Sequence, residues 1–190
     1  MVPEIPRDIS FQAAIEVAQQ IIEATAHREN SQAAEALSAD IAQAVSALLQ
    51  QTAGARGFFV AYLTGDQAVS GSPHSAILSG LRQSPQQSVD MLTKNLAMST
   101  AMALAHDRQS NGEMAQQSLH VQSRTMAIIE ALPLPELAQA LQQLQAAASA
   151  DGDLEDNPYG PFLARWNYDA EQRQHISAAA AAALAKLGVG

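Results

Sequence analysis

Between residues 89 and 132 the apolar positions hold one helical phase for more than forty residues. At about 100° per residue, Val89, Leu92, Leu96, Ala103, Met114, Val121, Ile128 and Leu132 fall within a wedge of about 60°. Such a seam predicts a long central helix, or two helices in line, with the other helices packed around Ser84 to Leu132. Asn111-Gly112 is a break signal inside it, yet the seam resumes at Met114 in the same phase. Pro133 and Pro135 end the segment.

The flanking chain repeats the helical period in shorter pieces. A first helix starts after Ser10, with Phe11, Ala14, Ile15, Ala18 and Ile22 on one face. Ser31 is an N-cap candidate for a second, in which Leu37, Ile41, Val45 and Leu48 recur until Gly54. Gly54-Ala55-Arg56-Gly57 reads as a short loop. The run Gly57 to Gly65 suits a buried strand or a short helix, and helix is favoured because no second strand is available to pair with it. Ser72-Pro73 and Ser84-Pro85 each place a hydroxyl before a proline at a first helical position, and Gln87 would complete a capping box with Ser84. Leu134, Leu137, Leu141 and Leu144 head a further helix. Asp151 to Pro161 reads as an acidic loop, and a last, alanine-rich helix runs from after Asp169 to Gly188. The expected fold is all-α: a bundle of six to eight helices forming a single helical domain over residues 1–190, with the loop at 151–161 leading to a C-terminal helical arm.

Composition narrows the function classes. The chain has 190 residues, no cysteine, 47% apolar and only 15% charged residues. A chain of that length supports its own core without disulfide or metal, and the missing cysteines exclude thiol nucleophiles and cysteine-ligated metals. The opening Met1 to Asp8 lacks a basic start followed by an apolar run, so no secretory signal is expected. No apolar stretch approaches the roughly 20 residues of a membrane span. Net charge is −9 with ten scattered basic residues, so clustered neutralisation of phosphates, and hence nucleic acid or anionic lipid as a partner, is not expected. A cytoplasmic location fits these features.

Candidate chemistry concentrates in the central segment. His106, Glu113, Gln117, His120 and Arg124 form a polar line beside the seam. A seven-residue step advances about 10 Å along a helix, so one metal cannot reach two of His106, Glu113 and His120. Such a line more readily supplies polar bonds across a bundle or dimer. Glu23 with His27 and Glu171 with His175 stand four apart, but on the solvent side of their helices, as ordinary surface pairs. All five methionines after the initiator lie between Met91 and Met126, with Met91, Met98 and Met102 beside the seam, either as core filler or as the wall of an apolar pocket. Phe58, Phe59 and Tyr62 form one aromatic group, and Tyr159, Phe162, Trp166 and Tyr168 a second. The acidic run at 151–156 lacks the glycine and closing carboxylate of a calcium loop. Hydrolase, phosphate-loop, dinucleotide and zinc-protease signatures are missing.

The segments Gly57 to Gly65 and Lys94 to Met102 resemble small soluble cyanobacterial proteins of no assigned function, and the resemblance implies a source and no activity. The expected function is a non-enzymatic helical interaction module that forms homo-oligomers or contacts a protein partner, without cofactor or metal. Two alternatives remain: a binder of an apolar small molecule held between Met98 and Met102 and Phe58, Phe59 and Tyr62, and a helical metalloprotein or enzyme using His106, Glu113 and His120.

Overall fold

The computed structural model describes residues 2–26, 32–65, 73–150 and 156–189. They hold nine helices and no strand: α1 (Phe11–Ala26), α2 (Gln32–Leu49), α3 (Thr52–Thr64), α4 (Ser75–Gln83), α5 (Pro85–Arg108), α6 (Gly112–Ala131), α7 (Pro135–Ser149), α8 (Gly160–Arg165) and α9 (Ala170–Lys186). The protein is an all-α helical bundle, with one helix more among these residues than the upper expectation. The chain divides into two compact units at Met91 and Leu92, within α5. The Ser31 and Ser72 caps, the Glu23 to His27 pair and residues 151–155 of the acidic loop lie outside the described residues.

In the first unit α1 packs on α3, and α2 on α3 and α4. Ser10 starts α1, its hydroxyl accepting from the Ala13 amide at 3.2 Å. Ala14, Ala18 and Ile21 are fully buried, because alanine lets neighbouring helix axes approach. Gly54 and Gly57 are not in a loop. Both lie inside α3, and a Cβ on Gly57 would stand 2.5 Å from the Ala14 Cβ. These glycines serve close packing rather than a turn, which is why local composition misreads them. The start of α4 also differs from expectation: it begins at Ser75 and not at Pro73, and His74 caps it, its Nδ1 accepting from the Ala76 amide at 3.2 Å. Pro85 opens α5 as expected. The preceding Ser84 is buried, with its hydroxyl 3.0 Å from that of Ser46.

In the second unit α7 packs on α8 and α9, and α9 also on α6. Leu137, Leu141 and Leu144 of α7 are fully buried, as are Ile176, Ala180 and Ala183 of α9. Pro135 begins α7 and Asp169 caps α9 through a capping box with Gln172.

The in-line arrangement of the central segment is corrected. α5 and α6 are separate helices, and Gln122 Nε2 donates to Thr100 Oγ1 at 2.7 Å. Two helices in line would hold those residues about 33 Å apart, so the chain folds back into a hairpin. Ser110, at φ 57°, makes the reversal, and the Ser110 and Asn111 amides return to the Asp107 and His106 carbonyls. Asn111 then caps α6, its side chain accepting from the Met114 amide at 3.3 Å. Leu92, Leu96, Ile128 and Leu132 are fully buried, but the seam opens toward the turn, where Val121 is half-buried and Met114 exposed.

Candidate functional site

The turn end of the α5–α6 hairpin carries most of the residues singled out by the sequence. Taking Met114 as 0° and stepping 100° per residue, Ala115 and Gln122 lie near 90° on the side facing α5. Glu113, Gln117, His120 and Arg124 lie together between about 240° and 300°, on the opposite side. Glu113, Gln117 and His120 are accordingly exposed, and Arg124 is half-buried. His106 does not join this line, because the reversal at Ser110 leaves it on the last turn of α5. It is half-buried, and its Nδ1 has no hydrogen-bond partner among the described residues. Among those residues no three acidic or histidine side chains stand together to hold a metal.

Over the thirteen residues from Gly112 to Arg124, only Ala115 is buried. Met114 and Leu119 stand about 140° apart, on opposite edges of the α5-facing stripe, and are 39% and 42% exposed. Met102 of α5 is exposed, and Met91, Met98 and Met126 are half-buried. Methionine is thus not the core filler its usual role suggests. None of the five is buried, while leucine, isoleucine and alanine fill the interior.

The turn end of this hairpin is tied to the start of α9. Arg108 donates to Asp169 Oδ2 at 2.5 Å and also pairs with Glu171, so Glu171 engages α5 rather than serving a surface pair with His175. The Arg108 guanidinium, followed by the Gln172 backbone amide, holds the Asp169 carboxyl below its ordinary range. Gln172 Nε2 donates to the Ala101 carbonyl at 3.1 Å. Sequence reading missed Arg108 because its partners are 61 and 63 residues away, although the Asp169 to Gln172 spacing carries a capping signal.

The aromatic candidates fill the core of the first unit. Phe58 meets Phe59 edge-on at 5.4 Å and stacks with Tyr62 at 5.7 Å, and all three are buried. In the second unit Phe162 meets Tyr168 edge-on at 6.4 Å. A groove of about 600 Å³ runs between α7 and α9 past Ala148, Ser149, Tyr168, Arg173 and Ser177. Arg173 Nη2 donates there to the Ala147 and Ala150 carbonyls, at 2.8 and 2.7 Å. Those bonds satisfy orphan carbonyls at the end of α7. Burial pushes the Tyr168 hydroxyl up to about 12, so it is a neutral phenol at physiological pH.

A family model described as Uncharacterised conserved protein UCP020893 matches residues 10–183. The chain belongs to this family. The match takes in both compact units and the whole hairpin. No curated protein and no solved structure matches the chain. Among the described residues no helix is long and apolar enough to cross a membrane.

Proposed function

We propose that this chain is a non-enzymatic, soluble, cytoplasmic interaction module that binds a second copy of itself through the α5–α6 hairpin. The observation that carries the reading is that only Ala115 is buried in α6 from Gly112 to Arg124, with apolar Met114 and Leu119 among its exposed positions. The second half of α6, with Thr125, Ile128 and Ile129 fully buried, holds the helix to its own chain, whereas the first half gains little from such packing.

Charge favours a second copy as the occupant. Residues 85–131, the two helices of the hairpin, contain three basic residues, Lys94, Arg108 and Arg124, and four acidic ones, Asp90, Asp107, Glu113 and Glu130. Their net charge is −1, so −8 of the total −9 falls elsewhere, and the hairpin repels a second acidic copy little. Met114 and Leu119 supply apolar contacts, and Glu113, Gln117 and His120 a polar rim. Neither nucleic acid nor membrane is a partner in this reading.

Sedimentation equilibrium of the full chain tests the reading. The wild-type chain is expected to associate reversibly. Met114→Glu combined with Leu119→Glu is expected to weaken association by at least about a hundredfold through buried charge, with an unchanged circular dichroism spectrum. A wild-type chain that stays monomeric at millimolar concentration, or a folded double variant that associates like wild type, contradicts it.

A further inference from the structure

We propose that the groove between α7 and α9 binds a small organic monocarboxylate with an apolar body, anchored by Arg173. The site lies within the second unit and is independent of the self-association proposed above.

The groove, about 600 Å³, falls within the roughly 300–1,000 Å³ usual for small-molecule sites. Among its lining residues Arg173 alone carries a charge. The acidic residues at the start of α9, Asp169 and Glu171, are paired with Arg108, so they do not neutralise it.

Capping the end of α7 uses only the Arg173 Nη2, which donates to the Ala147 and Ala150 carbonyls. Those bonds fix the guanidinium before a ligand arrives, and such preorganisation lowers the cost of binding. Nη1 and Nε have no partner among the described residues, so donors beyond those needed for capping remain. Tyr168, a neutral phenol, and the Ser149 and Ser177 hydroxyls, 2.8 Å apart, add uncharged polar groups. Ala178 and Ala181 line the groove with methyls suited to an apolar body.

One cation matches one negative charge. A phosphate ester, at about −1.5 to −2 near neutral pH, would leave charge uncompensated in a chain that is already at −9. A carboxylate is balanced by Arg173 alone.

The experiment titrates benzoate, octanoate, their neutral amides and inorganic phosphate into the full chain and follows backbone amide chemical shifts. At least one carboxylate is expected to bind with a Kd below about 10 mM, shifting Ser149, Tyr168 and Ser177, and its amide to bind at least about tenfold more weakly. Arg173→Gln, which keeps an amide donor for the α7 carbonyls, should weaken the carboxylate at least about tenfold and leave the amide unchanged. Ala178→Trp, at an exposed position of the groove wall, should fill the groove and abolish binding with an unchanged circular dichroism spectrum. If Arg173→Gln fails to fold, Ala178→Trp and the comparison with the amide still decide. No saturation by either carboxylate, shifts confined to other helices, or a folded Ala178→Trp chain that binds as wild type overturns the site. Equal affinity for carboxylate and amide, or a folded Arg173→Gln chain that binds as wild type, overturns the anchor. Phosphate that binds as tightly as the carboxylate overturns the ligand class.

Discussion

Single residues set how closely the helices of the first unit approach. Gly57 shows the competition most clearly. Alanine there would gain up to about 1 kcal/mol of helix propensity over glycine. Its Cβ, however, would stand 2.5 Å from the Ala14 Cβ and 3.0 Å from α1 backbone atoms, and overpacking typically costs about 1–3 kcal/mol. Backbone cannot move aside as a flexible side chain can, so the clash wins. Gly57→Ala is expected to lower stability by about 1 kcal/mol or more, read as a reduced urea midpoint at unchanged slope. Thr100 carries a different contribution: its buried hydroxyl accepts from Gln122 and donates to the Leu96 carbonyl at 2.7 Å. Thr100→Val leaves the half-buried Gln122 amide to water and should cost about 0.5–1.5 kcal/mol in the same assay. Sequence reading saw Gly57 only as punctuation, because its reason lies 43 positions away in α1. It placed Leu92, Leu96 and Ile128 in the core correctly, because their burial follows from periodicity alone.

At the scale of elements, helix starts with a local chemical cause were legible: Ser10 before α1, Pro85 at the first position of α5, Asp169 before α9; Pro135, read only as an end to the central segment, opens α7. The helical reading of residues 57–65 also holds. The reversal between α5 and α6 was not legible. An antiparallel hairpin turns both apolar faces toward each other, so the seam can keep its phase across the break whichever way the chain leaves it. Nothing in the angular pattern records direction. The break was attributed to Asn111-Gly112, whereas the left-handed residue is Ser110.

The tie between α5 and α9 makes stability depend on acid. Arg108 holds the Asp169 carboxyl below its ordinary range, so the folded chain binds that proton less readily than the unfolded chain. The contribution is therefore full above the unfolded value of about 4 and is lost as pH falls through the lower folded value. Arg108→Gln should bring the Asp169 titration back toward the ordinary carboxylate range. It should also flatten the fall in stability below pH about 4, measured by urea unfolding across pH together with the carboxyl chemical shift.

At the scale of the whole molecule, the chain is a cysteine-free acidic bundle with one long, nearly charge-balanced hairpin whose five methionines are all exposed or half-buried. Composition alone shows both the acidity and the gathering of methionine. It does not show exposure, because Met98 and Met102 lie on α5 just beyond the buried arc, where angular position alone cannot separate a covered flank from an open one. The candidate residues were likewise legible as a group, while the separation of His106 from Glu113 and His120 depended on the reversal. Amide hydrogen exchange of the full chain at rising concentration tests the association face most directly. The account predicts that protection increases in α6 from Glu113 to Arg124 and remains constant in α7. Exchange independent of concentration in α6, or new protection confined to other helices, would contradict it.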